Sequence, residues 1–385
     1  MLNTTDINIK ELTDLRHHLH SIAELSGEEK KTSDKIVSFL KDTNPDEILT
    51  GLGGEGIVAR YSGKKKGPCV LIRCELDALP IPEANDFEYV STDKKTGHKC
   101  GHDGHMAIVC GVAKILGKSG LEKGEVFLLF QPAEETGQGA QRVLKDDKFK
   151  SIKPDWVFAL HNLPGYKKHQ IVVKEDTFAA ASIGMIMKLK GDTSHAAHPE
   201  EGKSPALAMS KIIQDISSIP QFYTSLDQAA KATVIHASLG ERAFGTSPGY
   251  AEVMATFRTY DSETLEVLKK KAVEIAEGVS RMYELELETE WVESFAPTVN
   301  DKEAVSIVKR SAEENSLELN EKDQPFGWSE DFGHFTEKHK GALFGLGAGD
   351  NMPALHATTY DFPDEIIETG VKMFTEIICQ LGIRN

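Results

Sequence analysis

Four apolar runs, at 69–74, 125–130, 155–160 and 342–347, each break off near a residue able to act as acid, base or ligand. Apolar runs without alternation, about six residues long, read as interior strands covered on both faces. That restricts the chain to an α/β architecture, with helices on either side of a sheet. Asp77 lies just past the first run, Glu134 and Glu135 past the second, His161 at the end of the third, and His356 beyond the fourth. In open α/β sheets, ligands gather outside the carboxyl ends of the strands. These residues can therefore share one cleft, although His161 and His356 are nearly half the chain apart.

A fifth stretch belongs with them. Lys99-Cys100-Gly101-His102-Asp103-Gly104-His105 places a cysteine and two histidines in a turn punctuated by two glycines. Cys100 and His102 alternate, so in an extended turn both side chains point to the same side. Thiolate and imidazole are strong ligands for zinc-like ions. A helix is expected over 105–117, with Asp103 or Gly104 near its N-cap. The adjacent Glu134 and Glu135 point in opposite directions in an extended turn, so one can bind metal while the other takes a proton from water. In the loop 191–199, His195 or His198 can donate to a developing oxyanion. His17, His18 and His20 read as capping or core residues of a first helix.

Composition excludes several classes. With 385 residues, 40% hydrophobic and 27% charged, the chain has material for a large core and for two domains. A net charge of −16 argues against nucleic acid as a main partner. The run Lys64-Lys65-Lys66 is flanked by Gly63 and Gly67 and reads as a solvated turn. No apolar stretch approaches the ~18 residues of a membrane span, and Met1–Asp6 has no basic region leading into an apolar one. Five cysteines without a disulfide-like spacing fit a reducing cytoplasm.

Helices are expected over 8–42, and strands at 55–61 and 69–74. Between about 182 and 293 the pattern changes to β-α-β-β-α-β, the order of a ferredoxin-like sandwich. Its first helix is expected to open with Ser204 as cap and Pro205 at the first position. The reading is a discontinuous mixed-sheet domain, 1–181 with 294–385, and an inserted α+β domain, 182–293.

Arg73-Cys74-Glu75-Leu76-Asp77-Ala78-Leu79-Pro80, Cys100-Gly101-His102-Asp103-Gly104-His105, Gln131-Pro132-Ala133-Glu134-Glu135, Ala159-Leu160-His161-Asn162, Ser194-His195-Ala196, Ser329-Glu330-Asp331-Phe332 and the late His356 together resemble the cocatalytic metallopeptidase family of aminoacylases and glutamate carboxypeptidases. The likeness spans essentially the whole chain. It is strongest to the amidohydrolase branch of auxin-conjugate hydrolases, hippurate hydrolases and N-acetyldiaminopimelate deacetylases. The resemblance implies that Cys100, His102, Glu135, His161 and His356 bind two divalent ions (Zn, Mn or Co) and that Glu134 is the general base. It also implies that His195 helps hold the substrate or tetrahedral intermediate from a lid-like inserted domain, that Asp77 supports a ligand, and that this domain mediates homodimerisation. The implied activity is hydrolysis of N-acyl amino acids. A dipeptidase or aminopeptidase of the same family is the alternative, and a catalytically silent binding relative stands behind it. The chain departs from the branch at Phe244-Gly245-Thr246-Ser247-Pro248-Gly249, where a substrate-contacting Asn is common, and at Ala23-Glu24, where Pro-Glu is common.

Overall fold

The computed structural model describes residues 7–383. The segment Met1–Asp6, read above as carrying no leader, lies outside them. The chain forms two compact units. The first takes residues up to Phe178 with Thr298–Pro325 and the stretch from Asp331; the second is Ala179–Pro297 with Phe326–Glu330.

In the first unit, α1 (Ile9–Ser21) and α2 (Lys30–Lys41) precede strands β1 (Glu47–Leu52) and β2 (Gly56–Glu75). Then come α3 (His102–Ser119), β3 (Leu121–Gln131), β4 (Trp156–Pro164) and β5 (Ile171–Val173). The sheet runs β1, β2, β4, Lys340–Gly349, β5, Leu319–Glu321, with β3 paired to β2. The two strands expected at 55–61 and 69–74 are one continuous element that wraps β3. Residues 57–62 meet β3 in descending register, Ile57 opposite Phe130 and Ser62 opposite Glu125. Residues 69–75 meet it in ascending register, Cys69 opposite Glu125 and Glu75 opposite Gln131. The exposed lysines 64–66 form the bend, where hydration favours a charged run.

From there β2 runs parallel to β4, and β4 parallel to Lys340–Gly349 with His161 opposite Gly345. The carboxyl ends of β2, β3, β4 and Lys340–Gly349 therefore lie along one edge. α3 is buried along nearly its whole length, as expected for a helix apolar on every side. It contacts α1, the helix Ile367–Gln380 and β2.

The second unit is a four-stranded antiparallel sheet in the order Glu286–Phe295, Ala181–Lys190, Tyr250–Thr259, Ala230–Leu239. Burial alternates along Ala181–Lys190 and Tyr250–Thr259, so one face holds the apolar side chains. Helices Ala206–Tyr223 and Ser262–Met282 contribute Ile212, Ile216, Leu268 and Ala272 to that core. This is the ferredoxin-like order. The first helix starts one residue later than its sequence suggests: Pro205 is the N-cap, and Ser204 Oγ accepts the Ala206 N–H at 3.4 Å. Phe326–Glu330 joins this unit because the Ala180 N–H donates to the carbonyls of Phe326 and Trp328, while Arg258 Nη1 donates to Ser329 Oγ at 3.0 Å.

Among the described residues no helix is long and apolar enough to cross a membrane.

A buried charge network ties α1 to the first turn of α3 and to the loop before it. His20 Nδ1 is 2.8 Å from Asp103 Oδ2, and Nε2 is 2.8 Å from Glu83 Oε1. Burial opposes the imidazolium, but Asp103 and Glu83 outweigh it and raise His20 from 6.5 to about 9. A histidine whose proton affinity rises on folding stabilises fully below its unfolded value, and that stabilisation is lost as pH climbs through the folded value. Thermal stability is therefore expected to fall between pH 6.5 and 9 by on the order of 2–3 kcal/mol more in the native chain than in His20→Gln. Melting curves across that range check it; parallel curves for the two proteins would remove His20 from the account.

Candidate metal centre

The Cys100 turn is built by its two glycines. Gly101 is the N-cap of α3 and has φ +92°, a left-handed conformation that suits glycine. A Cβ there would sit 2.7 Å from the Asn162 amide. A Cβ on Gly104 would overlap the Phe362 ring. The helix thus begins at His102, three residues earlier than expected. Neither Asp103 nor Gly104 is the cap. The Asp103 carboxylate turns instead to His20 and to Arg16, whose Nε lies 3.6 Å away.

This places Cys100 just ahead of the helix and His102 in its first turn. The positive end of the helix dipole faces the anionic side chains gathered there. His102 Nδ1 donates to the Asp77 carbonyl at 2.8 Å, which leaves Nε2 facing the cleft. That Nε2 is buried and has no hydrogen-bond partner. It lies 3.8 Å from Glu135 Oε1 and 3.9 Å from Glu134 Oε2. His161 Nδ1 donates to the Asn162 carbonyl at 2.9 Å, and its Nε2 is 3.5 Å from Cys100 Sγ. In both rings a backbone carbonyl fixes the tautomer and turns Nε2 inward, the arrangement metal-ligating histidines use.

His356 follows the last parallel strand. Its φ of +66° is rare for a residue with a side chain. Its N–H donates to the Lys99 carbonyl at 2.8 Å, and its Nε2 is 3.9 Å from Glu135 Oε2.

Two triads result. Cys100, His102 and His161 bring one donor atom each to within 4.8 Å of one another, and so do Cys100, Glu135 and His356. Cys100 is common to both. A third group, His102, Glu134 and Glu135, joins them. All five residues expected as ligands, and Glu134, thus meet at one edge of the sheet.

The electrostatics suit cations. Burial disfavours a charged His102, yet Asp77, Glu75 and Glu135 raise it to about 10. The carboxylates create a site that draws positive charge, and a proton is the smallest cation able to answer it. The donor set (a thiolate sulfur, imidazole nitrogens and a carboxylate) matches zinc, manganese or cobalt better than magnesium or calcium. A partnerless buried Nε2 amid such donors fits a pair of divalent ions.

Asp77 supports its neighbours: its Oδ2 accepts from Ser26 Oγ at 2.7 Å and from the Glu135 N–H at 2.9 Å. His105 is packed behind the site, between Glu75 Oε2 at 2.6 Å and Asn162 Oδ1 at 2.5 Å. His195 belongs to the second unit and is exposed. Its Nδ1 accepts the Ala197 N–H at 3.0 Å, so the ring proton is on Nε2, which is left able to donate. His198 lies beside it, the ring centres 6.0 Å apart.

Sequence reasoning assigned no role to Arg73, Asp331 or Glu29. The Asp331 N–H donates to Glu134 Oε1 at 3.3 Å, and the Asp331 carboxylate pairs with Arg73 and caps Ala140 N at 2.8 Å. A lone arginine inside an apolar strand was the available signal.

Residues 71–380 match the peptidase family M20/M25/M40. The chain belongs to that family. It is accordingly a hydrolase acting on amide bonds. An uncharacterized hydrolase of Staphylococcus epidermidis is 32% identical over 376 residues, covering 94% of this chain and 96% of the relative. The N-acetyl-L-cysteine deacetylase of Bacillus subtilis is 32% identical over 339 residues, covering 87% and 80%. A solved Bacillus subtilis structure, described as a dinuclear metal binding peptidase from the M20 family, superposes with a TM-score of 0.80 at 26% identity, covering 97% of this chain and 98% of that one.

Proposed function

We propose that the chain is a two-metal amidohydrolase that splits N-acyl amino acids into a carboxylic acid and an amino acid. The observation that carries this reading is the pair of triads sharing Cys100. Cys100, His102, Glu135, His161 and His356 would hold the ions. When bound, the ions polarise the scissile carbonyl and make water in the site more acidic.

The chain's own groups do the rest. Glu134 is nearly buried and is not a member of either Cys100 triad. The Asp331 N–H holds one of its oxygens, and the other lies on the His102 side. From there Glu134 takes a proton from water as the oxygen attacks the carbonyl carbon. It then passes the proton to the departing amide nitrogen, so the amine leaves neutral. His195, with its proton on Nε2, donates to the oxyanion of the tetrahedral intermediate. The deacetylase relative supports an N-acyl amino acid as the substrate class.

Rates on N-acetyl and N-benzoyl amino acids, compared with free dipeptides, test the reading. Faster turnover of the N-acyl compounds is expected. Faster turnover of free dipeptides would make the chain a dipeptidase, and no turnover of either would leave a silent relative.

We also infer a homodimer through the second unit. Its edge strand Ala230–Leu239 exposes Ile235, and the adjacent helix Ala206–Tyr223 exposes Leu207 and Phe222. An open strand edge with apolar neighbours is a ready pairing surface. Sedimentation should give a dimer that Ile235→Lys weakens; a monomer at micromolar concentration would refute it.

A further inference from the structure

We propose that Glu29 is a positioning residue that holds the Glu134 carboxylate in its working orientation, which rests on the reading of Glu134 as the base. Glu29 sits at the N-cap of α2 but does not cap its own helix. The open Thr32 N–H is taken by Glu24 Oε2 at 2.9 Å instead. Glu29 is fully buried and turns away, and its Oε1 accepts the N–H groups of Gly27 and Ala133, both at 2.8 Å. Its Oε2 has no hydrogen-bond partner. Burying a carboxylate with one oxygen unanswered is unfavourable, and a helix cap alone would not require it.

The target of the bond gives it a purpose. Ala133 immediately precedes Glu134 and has φ +51°, a conformation that side-chain-bearing residues adopt only at a cost. From the turn that follows, both carboxylates reach the same ring nitrogen: Glu134 Oε2 lies 3.9 Å and Glu135 Oε1 3.8 Å from His102 Nε2. Oε1 of Glu29 grips the Ala133 N–H, in the Pro132–Ala133 peptide group, one residue ahead of those that flank Glu134. On the far side of Glu134, the Glu135 N–H is held by Asp77 Oδ2, which also receives Ser26 Oγ. The short turn from Ser26 to Glu29 thus holds the chain just before Glu134 directly, through Glu29, and the peptide group just after it through Asp77. The Ala133 carbonyl is fixed too, by the N–H groups of Gln138 at 3.3 Å and Gly139 at 3.0 Å.

Steady-state kinetics with metal content and melting temperature test this on Glu29→Ala, Glu29→Asp and Glu29→Gln. The first two lose the reach to Ala133, and kcat is expected to fall about 30-fold with KM within about threefold and metal content unchanged. Glu29→Gln keeps an oxygen acceptor at the same length and should recover most of that loss. In an Ala133→Gly background the left-handed turn carries no penalty, so Glu29→Ala should then cost less than about fivefold. Should Glu29→Ala fail to fold, Glu29→Asp decides alone. The proposal is overturned if kcat is unaffected, if the loss follows metal content or melting temperature, or if Ala133→Gly leaves it undiminished. If the native chain turns over only free dipeptides, the same comparisons are made on those, and only the substrate assignment fails. If Glu134→Gln remains active, the base assignment fails and this proposal falls with it.

Discussion

Glu134→Gln should lower turnover by about 10^3-fold while leaving the bound metal in place, in line with what a general base contributes. The substitution changes almost nothing but the ability to take a proton. The side chain keeps its length, and an amide oxygen can still accept the Asp331 N–H that now meets Glu134 Oε1. The proposed ligands Cys100, His102, Glu135, His161 and His356 are untouched, so metal affinity has no reason to fall. KM should move little, because the base acts in the transition state and not in holding the ground state. Rate measurement beside elemental analysis separates the possibilities. A near-normal rate would remove Glu134 from catalysis, and loss of metal would make it a ligand.

Arg73→Met is expected to be the most destabilising single change in the first unit. Arg73 is buried in β2, where its guanidinium meets Glu75, Asp331 and, through Nε, the Gln131 side-chain oxygen at 3.0 Å. Burial alone would raise Glu75, but Arg73 and His105 hold it well below the usual carboxylate range. Replacing the arginine by an apolar side chain of similar length leaves the acids buried without their cation, which costs about 3–5 kcal/mol. For a unit of this size that corresponds to a melting temperature lower by roughly 10 °C. The effect should reach the site, because Asp331 holds both Glu134 and Ala140 N. Arg73→Lys keeps the charge but not the fork, and should fall in between. An unchanged melting temperature for Arg73→Met would show that the network is dispensable.

Much of the site was legible because its residues lie where apolar strands stop. Parallel strands must be covered on both faces, so their runs stand out, and the chain after each run is where the sheet opens. Asp77, Glu134, His161 and His356 all follow that rule. The Cys100 turn was legible through its ligand types, but not its register: starting α3 at His102 depends on Gly101 lying against Asn162, a contact between distant segments. The wrapping of β2 around β3 left no local mark beyond the three lysines at its bend. Phe326–Glu330 belongs with the second unit through backbone hydrogen bonds to Ala180, which no periodicity encodes. Glu29 and Ser26 carry no mark in the sequence, because their partners Ala133 and Asp77 lie far along the chain. His20 reads as a core histidine, and it is one, but its two carboxylate partners come from the first turn of α3 and from a separate loop.

The central claim is that five side chains sharing Cys100 hold two catalytic cations. Metal content titrated against hydrolysis of an N-acyl amino acid tests it most directly. The account expects two equivalents of divalent ion per chain, loss of hydrolysis as a chelator removes them, recovery on adding zinc, manganese or cobalt, and weakened binding in Cys100→Ser. Full hydrolysis by metal-free protein, or undiminished metal content in Cys100→Ser, would contradict it.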